Sequence, residues 1–581
     1  MTTEDDFYGF SDQGNDIFDE CSSDEEHHES ICLDSSDEED TDTEDAMSDW
    51  SDLNDSETSD DDTKETSKDG TKWAKVPYKS TNLNYKNTFS NISAHQVNLP
   101  PDAVIKNPED AFFLYFNDFI ITEIVKYTNI EAENHTENWK PVDVIEMRAF
   151  FGLLLTAGHL KQNNTNYITL WSVKYGSPIF RATMSLVRFK LLLRFIRFDD
   201  KATRSIRRAT DKLAPIRDIF EECNKMFAKF YIPGHFLTVD EQMIGWRGRC
   251  PFMQFMPKKP DKYGMKMFWI CDAKTAYPLS AIPYLGKEGN ERAKAGLGER
   301  IVLKLCEPYF QSNRHVTYDN FFGSLDLAKT LLNNKLTSLT TVKKNKRFVP
   351  ASFQPNKLRT IHSSIFGFKK KATLVSYVPK RSKAVILLST MHSSVDIVDT
   401  EHKKPKMILD YNNTKGGVDT FDQMIHEYSS KRKTNRWPLS YFFNLMDASA
   451  LAAYNIWITT NHSWKTQVAD RRCQFLKTLC ENLVTPLIAR RMKNLVGVCL
   501  ETKAAMDLFL PSAINNDKPK LGSEEPKTNE KSKPEGSGQK RRCRFCPYSI
   551  GRRQKQQCGR CEVNVCNSHC TKTIICQKCL N

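Results

Sequence analysis

Two short segments decide the fold of this 581-residue chain: Leu237-Thr-Val-Asp240-Glu-Gln242 and Val316-Thr-Tyr-Asp319-Asn320. Each is an apolar, β-prone run that ends in a carboxylate, so each predicts a strand with an Asp at its end. A sheet containing both strands would present the two carboxylates to one cleft. A further acidic pair, Asp419 and Asp422, has the spacing of neighbours on one helix face.

These acids together indicate a metal-dependent site. Taken singly, each Asp is more typical of a helix cap or a solvated surface. Clustered carboxylates repel one another unless cations neutralise them, and hard oxygen ligands select Mg²⁺ or Mn²⁺. Two such ions ~3.5–4 Å apart stabilise both the attacking and the leaving oxygen in phosphodiester cleavage. The trio of strand, strand and helix therefore favours a two-metal nuclease.

The surrounding periodicity predicts an α/β sheet between helical segments. Short strands at 236–240, 265–270, 279–284 and 315–319 alternate with helices at 298–306 and 325–332. Helical patterns with basic outer faces precede the sheet between residues 110 and 198, and a long apolar helix follows at 439–457. Residues 345–405 are irregular and β-prone, and residues 511–540 have the Pro-, Lys- and Ser-rich composition of a linker.

Charge is distributed very unevenly. Residues 1–70 hold 28 acids and two lysines, a balance of −26 in a chain whose net charge is +11, so the rest carries +37. An acidic, aromatic-poor head buries too little apolar surface to fold, and we expect disorder over residues 1–77. The basic remainder favours nucleic acid as the partner. The acidic N-terminus lacks a secretory pattern, and no apolar run reaches the length of a bilayer, so no membrane association is expected.

The last forty-one residues contain four ligand pairs with zinc spacing. These pairs are Cys543 and Cys546, Cys558 and Cys561, Cys566 and His569, and Cys576 and Cys579, with Cys570 left over. Eight ligands close two tetrahedral sites, and zinc would supply the folding free energy of so short a segment. A disulfide framework is the alternative, but it needs an oxidising compartment. The pair order resembles RING and PHD fingers, apart from the sixth-position His, which leaves a ubiquitin ligase as a minor hypothesis.

Basic residues cluster just before and within this segment. Ten Lys and Arg against one acid lie between residues 531 and 560, including Lys540, Arg541 and Arg542. Such a cluster is typical of a nuclear import signal, of phosphate contacts, or of both. We therefore expect a nuclear protein.

Several long motifs, in order, resemble the piggyBac transposase family. They begin with Leu237-Thr-Val-Asp-Glu-Gln-Met-Ile-Gly-Trp-Arg-Gly-Arg-Cys-Pro251 and Lys262-Tyr-Gly-Met-Lys266. Tyr318-Asp-Asn-Phe-Phe322 and Asp410-Tyr-Asn-Asn-Thr-Lys-Gly-Gly-Val-Asp-Thr-Phe-Asp-Gln-Met424 follow. Lys431-Arg-Lys-Thr-Asn-Arg-Trp-Pro438 and the terminal finger complete the series. The resemblance covers roughly residues 100 to 581, and it is closest to the insect-type piggyBac element.

The resemblance implies a multidomain α/β protein with an RNase H-like catalytic core. It implies that core over 235–344 and 406–428, with a β-rich insertion domain at 345–405. A helical dimerisation and DNA-binding domain would be split between 78–234 and 429–510. The linker at 511–540 and a double-zinc finger at 541–581 would complete the chain. A homodimer acting on double-stranded DNA is the expected assembly.

The resemblance also implies the reaction and its residues. The family's metal-binding acids fall on Asp240, Asp319 and Asp419, with Asp422 as the accompanying fourth. The implied activity is cut-and-paste transposition at TTAA sites with two Mg²⁺ or Mn²⁺ ions, and the finger is expected to bind the element's ends. Asp272 matches no such position and is interpreted as a turn residue. The alternative is a domesticated protein that binds DNA or chromatin without catalysis.

Basic residues around the predicted site are candidates for DNA contact. After the first strand these are Arg247, Arg249, Lys258 and Lys259, and after the last strand they are Lys343, Lys344, Lys346 and Arg347. A further patch comprises Arg432, Lys433, Arg436 and Trp437. For that patch, DNA contact and a solvated helix end with a core Trp remain equally open.

Overall fold

A computed structural model describes residues 64–78, 94–101, 103–257, 259–286, 296–510, 541–542 and 553–554. The chain divides into two units at Ser512 and Ala513. In the second unit, the described residues form two short antiparallel strands, Arg541–Arg542 and Arg553–Gln554.

The first unit combines β-strands and helices along its whole described length. Its strands are β1 (Lys64–Thr66), β2 (Lys72–Ala74), β3 (Gln96–Val97), β4 (Tyr231–Ile232), β5 (Phe236–Gly245), β6 (Met253–Phe255), β7 (Tyr263–Asp272), β8 (Pro278–Pro283), β9 (His315–Tyr318), β10 (Thr337–Thr341), β11 (Ser364–Lys369), β12 (Ala372–Lys380) and β13 (Lys383–Ser389). Its helices are α1 (Pro108–Phe113), α2 (Asp118–Glu133), α3 (Val144–His159), α4 (Tyr167–Trp171), α5 (Pro178–Thr183), α6 (Leu186–Phe195), α7 (Arg204–Arg208), α8 (Arg217–Lys229), α9 (Leu297–Cys306), α10 (Leu325–Asn333), α11 (Lys406–Thr414), α12 (Gly417–Glu427), α13 (Trp437–Thr460), α14 (Arg471–Met492) and α15 (Leu500–Asp507). Two 3₁₀ turns lie at Glu307–Tyr309 and Ala351–Phe353.

A large mixed sheet forms the centre of the first unit. Strand β5 pairs with β9 in parallel and with β7 antiparallel, while β9 pairs with β10 in parallel. Helix α10 makes the crossover connection that the parallel neighbours β9 and β10 require, and α9 lies between β8 and β9 in sequence. Leu237, Val239, Val316 and Tyr318 are buried, which explains why these short runs are almost wholly apolar. The predicted α/β sheet is confirmed.

The sheet continues beyond the segment in which it was predicted. Strand β13 pairs with β10, and β12, β11 and β2 follow in turn, so residues from 345–405 extend the same sheet. The β1–β2 hairpin lies within the predicted disordered head of residues 1–77. Its Trp73 is 1% exposed and donates an indole hydrogen bond to the Phe348 carbonyl at 2.9 Å. A folded hairpin therefore lies before residue 77, because the large buried side chain of Trp73 anchors it.

Helices that precede the sheet in sequence and helices that follow it share one apolar core. The ring of Phe442 on α13 lies 5.6 Å from that of Phe151 on α3. Helices α3 and α14 approach so closely at Gly152 that an added Cβ would lie 2.8 Å from Val484 Cγ1. Among the described helices, none combines the length and the apolarity that crossing a membrane would require.

Candidate active site

Strand pairing brings two of the predicted acids together. The parallel register joins Val239 to Tyr318, and the next residues along the two strands are Asp240 and Asp319. Contrary to expectation, Asp240 does not end its strand, because β5 continues in pairing with β7 as far as Gly245. The parallel pairing of β5 with β9 ends at Val239 and Tyr318. The carboxylates of Asp240 and Asp319 therefore lie at the point where β5 and β9 separate.

Helix α12 carries the third acid to the same strands. Thr414, the last residue of α11 just before α12, accepts at its carbonyl from the Thr238 hydroxyl at 2.6 Å, and its own hydroxyl lies 2.7 Å from that of Thr317. At Gly417 an added Cβ would lie 2.5 Å from Thr238 Oγ1, so only glycine lets the helix start this close to the sheet. Asp419 follows in the first turn with its side chain 69% exposed.

Four acidic side chains lie around this point: Asp240, Glu241, Asp319 and Asp419. We call these four side chains together the carboxylate group. Burial raises the pKa of Asp240 well above its usual value, and the charges of Glu241 and Asp319 raise it further. Burial and the Glu241 charge raise the pKa of Asp319 to about 6. Negative charge in this group therefore exceeds what the protein's own donors balance.

Two lysines lie beside the carboxylate group. Lys259 Nζ lies 3.4 Å from Glu241 Oε1 and 4.0 Å from Asp419 Oδ1. Burial lowers the pKa of Lys259, but the charges of Glu241, Asp240 and Asp419 outweigh that effect and the net shift is upward. Lys266 is 7% exposed, and its Nζ lies 4.8 Å from the Phe268 ring centroid and 4.7 Å from that of Phe321. Burial lowers the pKa of Lys266.

The chemistry of the carboxylate group fits a hard divalent cation. Its donors are carboxylate oxygens, which Mg²⁺ and Mn²⁺ prefer, and the raised pKa values of Asp240 and Asp319 show charge that a cation would stabilise. Within the described part of the chain, no three His, Cys, Asp or Glu side chains are already close enough to hold an ion. The site therefore offers suitable ligands in an arrangement that a metal would have to draw together.

Asp422, predicted as the fourth metal-binding acid, has protein partners of its own. Its Oδ1 accepts a hydrogen bond from Gln242 Nε2 at 2.7 Å and lies 3.2 Å from His426 Nδ1. Gln242 Oε1 in turn accepts from the Trp269 indole at 2.8 Å. The nearby carboxylates of Asp261, with Oδ2 3.8 Å from His426 Nε2, and of Asp422 raise the pKa of His426 to about 10. We call Asp422, Gln242, His426 and Asp261 the Asp422 network.

The predicted basic residues divide into two kinds. Arg247, Arg249, Lys344 and Lys433 are exposed, and Lys343, Lys346 and Arg347 are half-buried.

In the further patch, Arg432 and Trp437 are buried and Arg436 is half-buried, whereas Lys433 is exposed. Arg432 is 4% exposed and donates to the carbonyls of Gln162 and Thr165. Arg436 donates to the carbonyls of Ile196 and Leu193, and the buried Trp437 ring packs on Phe252. These two arginines therefore satisfy carbonyl groups within the helical layer, and Trp437 is the core residue that one of the two interpretations expects.

Asp272 has the turn role that its position predicted. It is buried, and its Oδ1 accepts from the backbone amides of Lys274 and Thr275, each at 2.9 Å.

The predicted zinc ligands lie outside the described residues. They are Cys543, Cys546, Cys558, Cys561, Cys566, His569, Cys576 and Cys579. Lys258 lies outside them as well. Their roles stay predictions.

Sequence reasoning missed Glu241 and Lys266 as members of the site. Both stood inside quoted motifs, Asp240-Glu-Gln and Lys262-Tyr-Gly-Met-Lys266, but no role was assigned to either. Successive residues of a strand point to opposite faces, yet the charge of Glu241 acts on both Asp240 and Asp319. The pairing of Met243 with Lys266 across β5 and β7 is the contact that brings Lys266 here.

Comparisons with known proteins identify the class. A family model described as Transposase IS4 matches residues 107–454, which include all four predicted acids. The fold is similar to that in the cryo-EM structure of the piggyBac transposase synaptic complex with hairpin DNA, with a TM-score of 0.69 and 34% identity. The match covers 84% of this chain and 100% of that one.

Curated relatives point the same way. The human PiggyBac transposable element-derived protein 3 is 23% identical over 390 residues, which cover 61% of this chain and 62% of that protein. The human chimeric ERCC6-PGBD3 protein matches to the same extent, over 35% of its own length. The chain thus spans less than two thirds of the length of these relatives. The chain belongs to the piggyBac transposase family.

Proposed function

We propose that this protein is an active DNA transposase that excises and integrates an element at TTAA sites. One observation carries the proposal: parallel pairing sets Asp240 and Asp319 side by side, and helix α12 brings Asp419 to the same strands. Carboxylate-bearing parallel strands beside an antiparallel hairpin support an RNase H-like core. The helices on either side of it in sequence, which share one apolar core, support a split helical domain.

The carboxylate group would hold the two Mg²⁺ or Mn²⁺ ions, with Asp240, Asp319 and Asp419 as ligands. When bound, such ions lower the pKa of an attacking water or hydroxyl and stabilise the leaving oxygen. The residues themselves act as ligands and not as nucleophiles, so no covalent protein–DNA intermediate is needed. Asp422 is kept as a fourth ligand because the family resemblance implies it, although Gln242 and His426 engage it here.

Double-stranded DNA is the proposed substrate. The similar cryo-EM structure is a transposase complex with hairpin DNA, and the present chain carries a balance of +37 outside its acidic head. Among the predicted basic residues, four are exposed and so accessible to phosphates: Arg247, Arg249, Lys344 and Lys433. Homodimerisation, nuclear localisation and two structural zinc ions in residues 541–581 complete the proposal on the strength of the sequence.

A catalytically silent, domesticated DNA-binding protein is the second candidate. The human relative is, by its name, a protein derived from a transposable element. The acids Asp240, Asp319, Asp419 and Asp422 are all present here, which favours the active enzyme.

A plasmid excision assay in cells tests the proposal. The element's own ends would flank a marker, and wild type would be compared with Asp319→Asn. Asp218→Asn, at an exposed acid of α8, is the matched control. Repair of the donor to a single TTAA by wild type and by the control, but not by Asp319→Asn, is the expected result. No excision by any of them, with the nuclear protein still binding the ends, would favour the domesticated alternative.

A further inference from the structure

Lys259 occupies an unusual place at the carboxylate group. It lies in the connection between β6 and β7, two residues before Asp261. Its Nζ donates to the Glu241 main-chain carbonyl at 3.3 Å and lies 3.4 Å from the carboxylate of the same residue. Glu241 therefore holds the ammonium at two points, while Asp419 Oδ1 lies at 4.0 Å on another side.

The ammonium thus links a strand acid to a helix acid. Glu241 belongs to β5 and Asp419 to α12, and the charge of Asp240 also acts on Lys259. A bridging positive charge among carboxylates from different elements has the chemistry of a bound cation. The side chain is 26% exposed, so it has a path outward.

Proximity to DNA phosphate alone does not explain these contacts. A lysine that only contacts the DNA backbone would be expected to project to solvent, as exposed Lys262 does three residues further along. Lys259 instead points its charge at two acids, one of which is a proposed metal ligand.

We propose that Lys259 is a positioning residue that competes with the divalent cation for the carboxylate group. Without metal, its ammonium neutralises part of the charge between Glu241 and Asp419. When the metal binds, the ammonium leaves Asp419 and becomes accessible at the edge of the site, where Glu241 keeps it near an incoming phosphate. This inference rests on the proposed metal-dependent function.

Metal affinity tests the competition directly. Mn²⁺ would be titrated into the zinc-loaded full chain, with free Mn²⁺ followed by electron paramagnetic resonance. Lys259→Met should bind Mn²⁺ roughly tenfold more tightly than wild type, because a competing charge close to the ion is gone. Lys259→Arg, which keeps the charge, and Lys262→Met, at the exposed lysine of the same connection, should stay near wild type.

A second readout needs no variant. Amine acylation of wild type, located by fragmentation mass spectrometry that separates Lys258 from Lys259, should show Lys259 becoming more reactive when Mn²⁺ is added. Simple shielding by a metal would lower its reactivity.

The outcomes separate the two proposals. Unchanged or weaker Mn²⁺ binding by Lys259→Met, or lower Lys259 reactivity with Mn²⁺, would overturn the competition while leaving the metal site intact. Asp319→Asn is the reference, because it should lose Mn²⁺ binding. If Asp319→Asn binds Mn²⁺ as wild type does, the proposed metal site itself falls, and the competition with it.

Discussion

Two neighbouring acidic regions around β5 and α12, the carboxylate group and the Asp422 network, differ in how their charge is balanced. In the carboxylate group, burial and mutual repulsion raise the pKa values of Asp240 and Asp319. In the Asp422 network, each acid meets a donor, and His426 is held protonated with a pKa of about 10. An excess of charge is useful where a cation must bind, whereas paired charge holds elements together.

Asp447 is a buried acid beside the Asp422 network, since the charge of His426 acts on it. It lies on α13, 7% exposed, and accepts from the Ser429 hydroxyl at 2.9 Å and the Ser430 amide at 3.0 Å. Burial still raises its pKa to about 7, although these bonds and the His426 charge oppose the shift. Hydrogen bonds from neutral groups thus balance a buried carboxylate only in part.

The largest expected effect is on DNA cleavage by Asp240→Asn. The rate should fall at least about a thousandfold, since metal-bound charge stabilisation is worth several kcal/mol and each ~1.4 kcal/mol is tenfold. Stability should not fall, because the change removes a charge that burial and its neighbours disfavour. Cleavage of a labelled element end and thermal unfolding measure the two effects, with Asp218→Asn as control. Normal cleavage would remove Asp240 from the proposed metal site.

The next effect is the pH dependence of stability through Asp447. Its folded-state pKa of about 7 exceeds the ~3.9 of an unfolded Asp, so the folded state is penalised above pH 7. The penalty should be relieved as the pH falls from about 7 towards 4, by up to about 4 kcal/mol. Asp447→Asn should lack this contribution in urea unfolding at pH 7.5 and pH 5. An identical pH response in wild type and variant would show that burial is compensated in full.

Replacing the two acids of α12, Asp422 and Asp419, one at a time should give contrasting results. Asp422→Asn should lower the free energy of unfolding by about 1–3 kcal/mol, because it weakens the charged bonds with Gln242 and His426. Asp422→Asn should weaken Mn²⁺ binding less than Asp419→Asn does, because Gln242 and His426 already engage the Asp422 carboxylate. Asp419→Asn, at an exposed acid, should weaken Mn²⁺ binding with little change in stability. Equal loss of metal affinity in both variants would show that the protein partners of Asp422 do not limit it as a ligand.

The smallest effect concerns His426→Gln. The pKa of His426 is raised, so its stabilising contribution is complete below about pH 6.5 and is lost as the pH rises through about 10. Its side chain is 50% exposed, and solvent screening reduces the contribution to about 1 kcal/mol. Thermal unfolding at pH 6 and pH 10 should show a wild-type advantage at pH 6 only. An advantage that persists at pH 10 would assign the effect to packing.

Much of the sheet could be predicted from local patterns, and parts of the site could not. The pattern of Val316-Thr-Tyr318 predicts a strand, and His315–Tyr318 forms one, because a short run with β-branched residues that is buried on both faces packs well in a sheet. The patch containing Arg432 was open to DNA contact or to a solvated helix end, because both suit a basic residue beside an aromatic. Only tertiary packing shows that Arg432 is buried and bonded to the carbonyls of Gln162 and Thr165, far away in sequence.

The sequence by itself predicted the family, the alternation of strands and helices in the core, and the acids Asp240, Asp319 and Asp419 as candidate metal ligands. Those features are local, since they depend on residue type and spacing along one segment. Only the tertiary structure decided which acids lie together with excess negative charge and which have a protein partner. Glu241 and Lys259 lie in the carboxylate group, whereas Asp422 contacts Gln242 and His426. Charge balance depends on distances between segments that are separated in sequence, and only the folded chain sets those distances.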